Sequence, residues 1–167
     1  MFDLIIKKYQ KKWKLDKKTH REKGPVIEWE KGPAFWCKNG YLHRENNLPA
    51  VEYPNGIKEY YLNGEQYVLQ ENGTKEFVDA FFKKLHRRKG LPAIEYPNGD
   101  REWWFKGIRH RDNGPAVIIG NKQFWFEYGE FIKYKDSSEH SIIPKTKNFF
   151  KAFASLILPK RKKKSVS

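Results

Sequence analysis

Four His-Arg pairs recur along this 167-residue chain at nearly regular intervals. Histidine is the commonest protein ligand of transition metals and the usual general base near neutral pH, so a metal centre or an acid-base centre is the first chemistry to consider. The pairs are His20-Arg21, His43-Arg44, His86-Arg87 and His110-Arg111, separated by steps of 23, 43 and 24 residues.

The spacing of these pairs argues against such a centre. A zinc site needs three or four ligands that converge on one ion at about 2 Å, whereas residues that recur once in each stacked repeat lie in a row. We expect each histidine to begin a strand, satisfy a turn carbonyl and pack on a neighbouring ring, while each arginine pairs with a glutamate. No catalytic residue, cofactor or metal is predicted, and the single cysteine, Cys37, is interpreted as a buried structural thiol.

Each His-Arg pair is followed by the pattern of two strands and two turns. A Pro five or six residues after the His favours extended geometry before it, and PAVEY and PAIEY alternate in the period-two manner of a half-buried strand. In YPNG, which ends at Gly56 and at Gly99, Pro presets the first turn position and Gly supplies a positive φ, so a hairpin closed on a bulge is predicted. Aromatic runs such as KEYYL and REWWF follow and end in a second glycine turn. Chained together, these units predict a mainly β fold, a repeat-built antiparallel β-meander over residues 19–135.

The repeats resemble a known family in the segments NGYLHREN, KGIRHRDNGPAVI and HREKGPVIEW. They are similar to the variant MORN-type repeats of bacterial proteins and of large nucleocytoplasmic DNA viruses such as the marseillevirus group, and the resemblance covers roughly residues 19–132. It implies a MORN-like hairpin stack that serves as a binding surface, with no catalytic set attached. It also implies a minor structural component of a virus particle, with virion or capsid proteins as partners.

The regular pattern breaks over residues 65–85. Tyr67 stands where a His is expected, and TKEFVDAFFKKL carries apolar residues at helical spacing. Two interpretations remain open. One is a short helix around 74–86, inserted between repeats, which the spacing favours; the other is a degenerate repeat whose turn is Asn72-Gly73.

The net charge of +14 belongs to the two ends of the chain. Residues 1–23 hold nine Lys/Arg against three Asp/Glu, which gives +6, and residues 145–167 hold eight Lys/Arg and no acid, which gives +8. Residues 1–18 are a basic amphipathic segment expected to cap the first repeat. Residues 136–167 are expected to form an amphipathic helix with a basic tail that covers a sheet edge, contacts anionic lipid or binds nucleic acid. The tail's candidate interaction residues are Lys160, Arg161, Lys162, Lys163 and Lys164.

Paired aromatic residues on the strands offer a second candidate surface. Neighbouring side chains on a strand point to opposite faces, so one ring of each pair belongs to the core and the other can be exposed. The outer rings, which are candidates for interaction with a partner, are Tyr61, Trp104 and Trp125.

These features favour a non-enzymatic scaffold that binds other proteins. The alternatives are a nucleic-acid-binding basic protein and a repeat-type antitoxin or host-factor inhibitor, and no small-molecule substrate is predicted. One cysteine, the lack of a signal-peptide pattern and an apolar run far shorter than the roughly 20 residues of a membrane span predict a reducing compartment, virion or host cytoplasm, and no transmembrane helix.

Overall fold

The computed structural model describes residues 2–7, 9–15, 17–19, 21, 23–138 and 142–144. Over these residues the chain forms strands and turns and no helix, which confirms the mainly β prediction. The strands are β1 Phe2–Lys7, β2 Gln10–Leu15, β3 Lys18–Thr19, β4 Ile27–Trp29, β5 Ala34–Phe35, β6 Cys37–Lys38, β7 Tyr41–Leu42, β8 Val51–Glu52, β9 Lys58–Leu62, β10 Glu65–Leu69, β11 Lys75–Phe77, β12 Ile94–Glu95, β13 Arg101–Glu102, β14 Trp104–Phe105, β15 Ile108–Arg109, β16 Val117–Ile119, β17 Lys122–Glu127, β18 Glu130–Asp136 and β19 Ile142–Pro144.

Most strands belong to one long antiparallel sheet. Its order is β1-β2-β4-β5-β8-β9-β10-β11-β12-β13-β16-β17-β18-β19, with β3 paired to β2. The hairpins β6-β7 and β14-β15 leave this sheet and form separate two-stranded ladders. Because the order in space follows the order in the chain, each hairpin pairs with its sequence neighbours, as the meander prediction requires.

The YPNG turns have the predicted form. The Gly56 N–H donates to the Tyr53 carbonyl at 2.9 Å, and the Tyr53 N–H donates to the Ile57 carbonyl at 2.9 Å. Gly56 has a φ of +85° and Gly99 has +92°, a region that costs glycine nothing. The type I turn therefore runs into a glycine bulge and reverses the chain between β8 and β9.

The second turn of each regular unit is a two-residue turn with positive φ at both positions. Asn63 and Gly64 have φ values of +51° and +83°, and the pair joins β9 to β10. Asparagine tolerates this left-handed region better than most residues because its short amide can bond locally. The turn matches the right-handed twist of the strands it connects, so the strands stay paired up to the turn.

No helix forms around 74–86, so that expectation is wrong; the chain instead has the Asn72-Gly73 turn and the strand β11, as the degenerate-repeat alternative describes. Residues 75–77 form β11, which pairs with β10 and with β12. A helix would withdraw the Phe77 side chain, which is 1% exposed, from the core and leave backbone groups of two strands unpaired. The turn is the expected one: Gly73 has a φ of +83°, and its N–H donates to the Gln70 carbonyl at 2.9 Å.

The core combines aromatic rings with small side chains. The residue after each repeat proline is fully buried; these residues are Val26, Ala50, Ala93 and Ala116. Their backbones continue the ladder, since the Ala93 N–H donates to the Glu102 carbonyl at 2.8 Å. At the C-terminal end of the stack the rings of Phe124, Phe126 and Tyr134 close over Ala116.

The N-terminal segment adds a hairpin to the first repeat. β1 pairs with β2 along its whole length, and β2 pairs with β4. Leu4, Ile5 and Ile6 are 50%, 36% and 67% exposed. The helix expected within 136–167 falls almost wholly outside the described residues, which there include β18 up to Asp136 and the strand β19.

The turn geometry leads to a prediction at Gly99. A Cβ added at Gly99 has nothing within 4 Å, so a substitution acts through the backbone alone. We expect Gly99→Ala to lower the free energy of unfolding by about 1–2 kcal/mol, because alanine is strained at positive φ. Gly99→Asn should cost less. Urea denaturation checks both variants, and equal losses would contradict the backbone explanation.

Candidate functional site

The histidines hold turns of the neighbouring hairpin. His43 Nδ1 accepts a hydrogen bond from the Asn63 N–H at 3.0 Å, and His110 Nδ1 accepts one from the Tyr128 N–H at 3.2 Å. The partner is thus a turn amide, and the expectation of a turn carbonyl is wrong for these two residues. The reason is that the first residue of each turn points its N–H towards the imidazole. Because Nδ1 accepts this hydrogen bond, a neutral ring carries its proton on Nε2. His20 lies outside the described residues.

A backbone hydrogen bond accompanies each of these turns. The turn glycine donates to the carbonyl before the histidine in three successive places: Gly64 to Leu42 at 2.8 Å, Gly107 to Leu85 at 2.9 Å and Gly129 to Arg109 at 2.9 Å. His86 departs from the pattern, because its Nδ1 is buried without a hydrogen-bond partner among the described residues. The turns therefore stack along one edge of the sheet, which is called here the turn edge.

The histidine rings are separated by other rings. His86 and His110 each contact Phe105, with ring centroids 5.4 Å and 6.0 Å apart, and His110 stacks on Tyr128 at 4.1 Å. Within the described residues no group of three or more His, Cys, Asp and Glu side chains has the geometry to hold a metal ion. The arrangement is a row of aromatic contacts along the turn edge, as expected for stacked repeats.

Each arginine of the pairs makes the same set of contacts, named here the arginine clasp. Its guanidinium carbon lies over an aromatic ring eight to ten residues earlier in the chain: Arg21 over Trp13 at 4.0 Å, Arg44 over Trp36 at 3.8 Å, Arg87 over Phe77 at 3.6 Å and Arg111 over Trp103 at 3.8 Å. Its Nη1 donates to the repeat proline carbonyl: Pro25, Pro49, Pro92 and Pro115, at 2.9–3.2 Å. The clasp joins a cation–π contact to a charge-assisted hydrogen bond.

Three of the four clasps also hold the expected glutamate. The pairs are Arg21–Glu28 at 2.9 Å, Arg44–Glu52 at 2.9 Å and Arg87–Glu95 at 2.7 Å. In the fourth repeat Ile118 occupies the glutamate position, and burial lowers the pKa of Arg111. Arg87 has the most enclosed clasp, since its side chain is 6% exposed and its Nε also donates to Glu65 at 2.9 Å.

Cys37 is half-buried and free, on the strand that pairs with β7. Burial raises the pKa of its thiol, against a smaller lowering by Lys12. A thiol with a raised pKa is a poor nucleophile because little thiolate is present near neutral pH. The interpretation of Cys37 as a structural residue fits this environment.

The outer aromatic residues do not form one surface. The Tyr61 O–H donates to Glu59 at 2.9 Å, and the Trp104 Nε1–H donates to Glu102 at 3.0 Å, so these two rings lie beside carboxylates at equivalent positions of their repeats. Glu102 stands in register with Val117 and Phe124, which places Trp125 on the opposite side of the sheet. The Lys133 Nζ lies 4.7 Å from the centroid of the Trp125 ring.

Glu102 accepts hydrogen bonds from three side chains in the third repeat. Besides the Trp104 indole, it accepts hydrogen bonds from the Tyr96 O–H at 2.7 Å and from Arg109 Nε at 3.0 Å. Its side chain is 2% exposed. Burial, with the Glu102 charge and hydrogen bond, raises the pKa of Tyr96. Sequence reasoning missed this buried carboxylate, because alternation assigns a side chain to a face but does not name its partners.

A cleft of about 330 Å³ opens where the degenerate repeat interrupts the regular stack. It lies between the turn at Asn63-Gly64 and the segment 79–88. Its lining combines the apolar Phe77, Val78 and Ala80 with hydrogen-bonding side chains, which include Tyr61, Glu65, Gln66, His86, Arg87 and Arg88. The Arg88 side chain is 76% exposed, and its Nη2 lies 3.7 Å from Asp79 Oδ2.

The same repeat carries an expanded loop, residues 79–84. The bridge between Val78 and Leu85 encloses six residues, whereas the equivalent pair Cys37 and Leu42 encloses four. Asp79 Oδ1 accepts the N–H groups of Phe81 at 2.9 Å and of Phe82 at 3.0 Å, and the Lys83 N–H donates to the Asp79 carbonyl. The hydrogen bond from Phe82, followed by that from Phe81, lowers the pKa of the Asp79 carboxyl against an opposing effect of burial.

Comparison with protein-family models, curated proteins and solved structures gives no match. The resemblance to MORN-type repeats therefore remains a prediction, and the function must be argued from the geometry. The candidate residues Lys160 to Lys164 lie outside the described residues. No helix in the described part of the chain is long and apolar enough to span a membrane.

The arginine clasp leads to a prediction at Arg87. Lysine keeps the charge but cannot cover the Phe77 ring and donate to a carbonyl and two carboxylates together. We expect Arg87→Lys to reduce the free energy of unfolding by about 2–3 kcal/mol. Arg101→Lys is the matched control on an exposed strand position, where the change should stay within about 0.5 kcal/mol. Similar losses for both variants in urea denaturation would show that the clasp contributes little.

The tyrosine–glutamate contacts lead to a prediction at high pH. Burial, then the hydrogen bond to Glu59, raises the pKa of Tyr61 to about 12. Since tyrosine in an unfolded chain titrates near pH 10, the stabilisation is complete below about pH 10 and is lost as the pH rises towards 12. Tyr61→Phe should flatten this alkaline fall in the urea midpoint. Tyr41→Phe, at a position 62% exposed, should leave it unchanged; an identical pH dependence in all three proteins would contradict the assignment.

Proposed function

We propose that this protein is a non-enzymatic repeat scaffold that binds another protein at the cleft of its degenerate repeat. The observation that carries the proposal is the cleft itself, which opens where the regular pattern of turns is interrupted. Regular units stack their turns through the hydrogen bonds of Gly64, Gly107 and Gly129, whereas the expanded loop 79–84 replaces a two-residue turn. A concave surface on a rigid scaffold is the usual form of a binding site.

The lining of the cleft suits a polar segment of a protein partner. Arg87 is fixed by Glu65 on one side and by Glu95 on the other, so its orientation is set before a partner arrives. Gln66 and Arg88 are exposed and can donate or accept new hydrogen bonds. Side chains held in place lose little conformational freedom on binding, which favours affinity.

The contacts of the residue types that could act in catalysis support the proposal of a scaffold. His43 and His110 hold turns, and the arginines next to them form the clasps. Cys37 lies on a strand with a raised thiol pKa. The histidines and arginines named here join neighbouring hairpins, and this use accounts for the recurrence of the His-Arg pair in the regular repeats.

The charged ends favour a second candidate, a nucleic-acid-binding protein. Net charges of +6 over residues 1–23 and +8 over residues 145–167 would attract a polyanion, and binding would weaken steeply with salt. The same ends could instead hold the scaffold on an anionic surface. A place in a virus particle, with virion or capsid proteins as partners, rests on the repeat resemblance alone, as does an inhibitor of one host protein.

Site-specific photo-crosslinking in the native cellular context tests the protein-binding proposal. A photoreactive amino acid at Gln66, in the cleft, should give one dominant protein adduct that mass spectrometry identifies. The same probe at Asn98, exposed in a YPNG turn, should give little of that adduct. The physical reason is that the reactive group captures only what lies within a few ångströms of it.

The pattern of adducts decides between the alternatives. Equal adducts at the two positions, or none at Gln66, would contradict docking at the cleft. Adducts at Gln66 that disappear on nuclease treatment would instead support the nucleic-acid candidate.

A further inference from the structure

The expanded loop 79–84 exposes two adjacent aromatic rings. Phe81 is 86% exposed and Phe82 is 39% exposed, and the two rings meet edge to face at 5.2 Å. Phe81 is the most exposed large apolar side chain among the described residues. The backbone conformation that exposes the rings is held by hydrogen bonds, because the Asp79 carboxylate accepts the N–H groups of both phenylalanines.

Basic side chains surround these rings. Lys83 and Lys84 follow them in the loop and are exposed. Lys106 reaches from the next turn, and its Nζ lies 4.7 Å from the Phe82 centroid and 5.2 Å from the Phe105 centroid. The one acid of the loop, Asp79, is 9% exposed and is occupied by the loop amides. The loop therefore presents an apolar tip within a ring of positive charge.

Neighbouring turns add apolar surface beside the tip. Phe105 and Ile108, on the hairpin β14-β15, are 37% and 39% exposed. The stem of Lys84 lies against the turn at Gly107, where a Cβ would come within 3.0 Å of its Cδ. Long basic side chains that lie along apolar surface keep their ammonium groups at its rim, as they do at a membrane interface.

We propose that the loop 79–84 docks on the surface of an anionic lipid bilayer. Phe81 and Phe82 enter the boundary between headgroups and acyl chains, while Lys83, Lys84 and Lys106 contact the headgroup phosphates. The site lies in the folded repeats and is separate from the basic ends of the chain. This proposal also goes beyond protein binding at the cleft. The ligand is a lipid bilayer in place of a protein, and the residues that contact it are those of the loop tip in place of those that line the cleft.

The chemistry of the tip favours lipid over nucleic acid. Single-stranded nucleic acids stack bases on the flat faces of rings along a groove. Phe81 instead stands on a protruding loop with its ring edge to face with Phe82, and no base could stack between the two rings at 5.2 Å. An apolar tip with a basic rim matches the two layers of an anionic membrane interface, apolar below and phosphate above.

Vesicle co-sedimentation with the full chain tests the proposal. Vesicles of phosphatidylcholine with phosphatidylserine should bind the protein, and those of phosphatidylcholine alone should bind it far more weakly. At raised salt, where binding through the basic ends is screened, the double variant Phe81→Ser/Phe82→Ser should bind the anionic vesicles at least about tenfold more weakly. Tyr41→Ser, at an exposed aromatic of the hairpin β6-β7, is the matched control and should leave binding unchanged.

A second measurement reports insertion rather than adsorption. In the variant Phe81→Trp the added indole should be quenched by lipids that carry bromine on their acyl chains. Tyr41→Trp should show no added quenching, because that turn stays in water. Circular dichroism of each variant should match the parent protein, since Phe81 and Tyr41 are 86% and 62% exposed.

Several outcomes would overturn the proposal. Equal vesicle binding by the parent protein and Phe81→Ser/Phe82→Ser would do so, as would a Phe81→Trp indole that acyl-chain bromine does not quench. If the double variant loses binding to single-stranded DNA and keeps binding to vesicles, the loop serves nucleic acid instead. Failure of the crosslink at Gln66 would refute the cleft proposal and leave these results untouched.

Discussion

The stacking of this protein depends on the arginine clasp. In a regular repeat one guanidinium contacts an aromatic ring that precedes it in the chain, the carbonyl of the repeat proline and, in most repeats, a carboxylate of the following strand. An exposed ion pair alone contributes about 0–1 kcal/mol. A cation that serves three groups at once leaves all three without their partner when it is lost, so its removal is far more damaging. Since these groups belong to consecutive hairpins, the clasp fixes the register between them.

The clasp and the histidine contacts also prevent the His-Arg pairs from converging on one metal ion or one substrate. The His-Arg pairs are used locally: the imidazoles of His43 and His110 accept hydrogen bonds from turn amides, and the guanidinium of each pair lies over a ring. The pairs therefore remain separated along the stack. His86 and His110 even share Phe105 as a neighbour on the turn edge. Convergence on one ion or one substrate atom would break the contacts that hold the stack together. Regular repeats of this kind supply a surface, and chemistry would have to come from an irregularity.

The sequence predicted the regular parts well because their rules are local. Pro, Asn and Gly in YPNG specify one turn and one bulge, and the bonds around Gly56 follow from those three residues. Of the two interpretations of residues 65–85, the helical spacing of the apolar residues favours a short helix around 74–86, yet pairing of β11 with two neighbouring strands outweighs that pattern. The partners of Glu102 and the separation of Trp125 from Trp104 depend on contacts between strands distant in sequence, which periodicity does not encode.

The degenerate repeat contains a loop, residues 79–84, whose length and exposed rings the fold does not require. Four residues, with the turn Asn39-Gly40 at their centre, suffice between the equivalent pair Cys37 and Leu42, so the fold does not require the six residues at 79–84. Two exposed phenylalanines carry a penalty in solubility and add no core packing. An acidic side chain is nevertheless committed to holding their backbone in this conformation. A loop that is longer than necessary, rigid and apolar at its tip is explained by contact with something outside the chain.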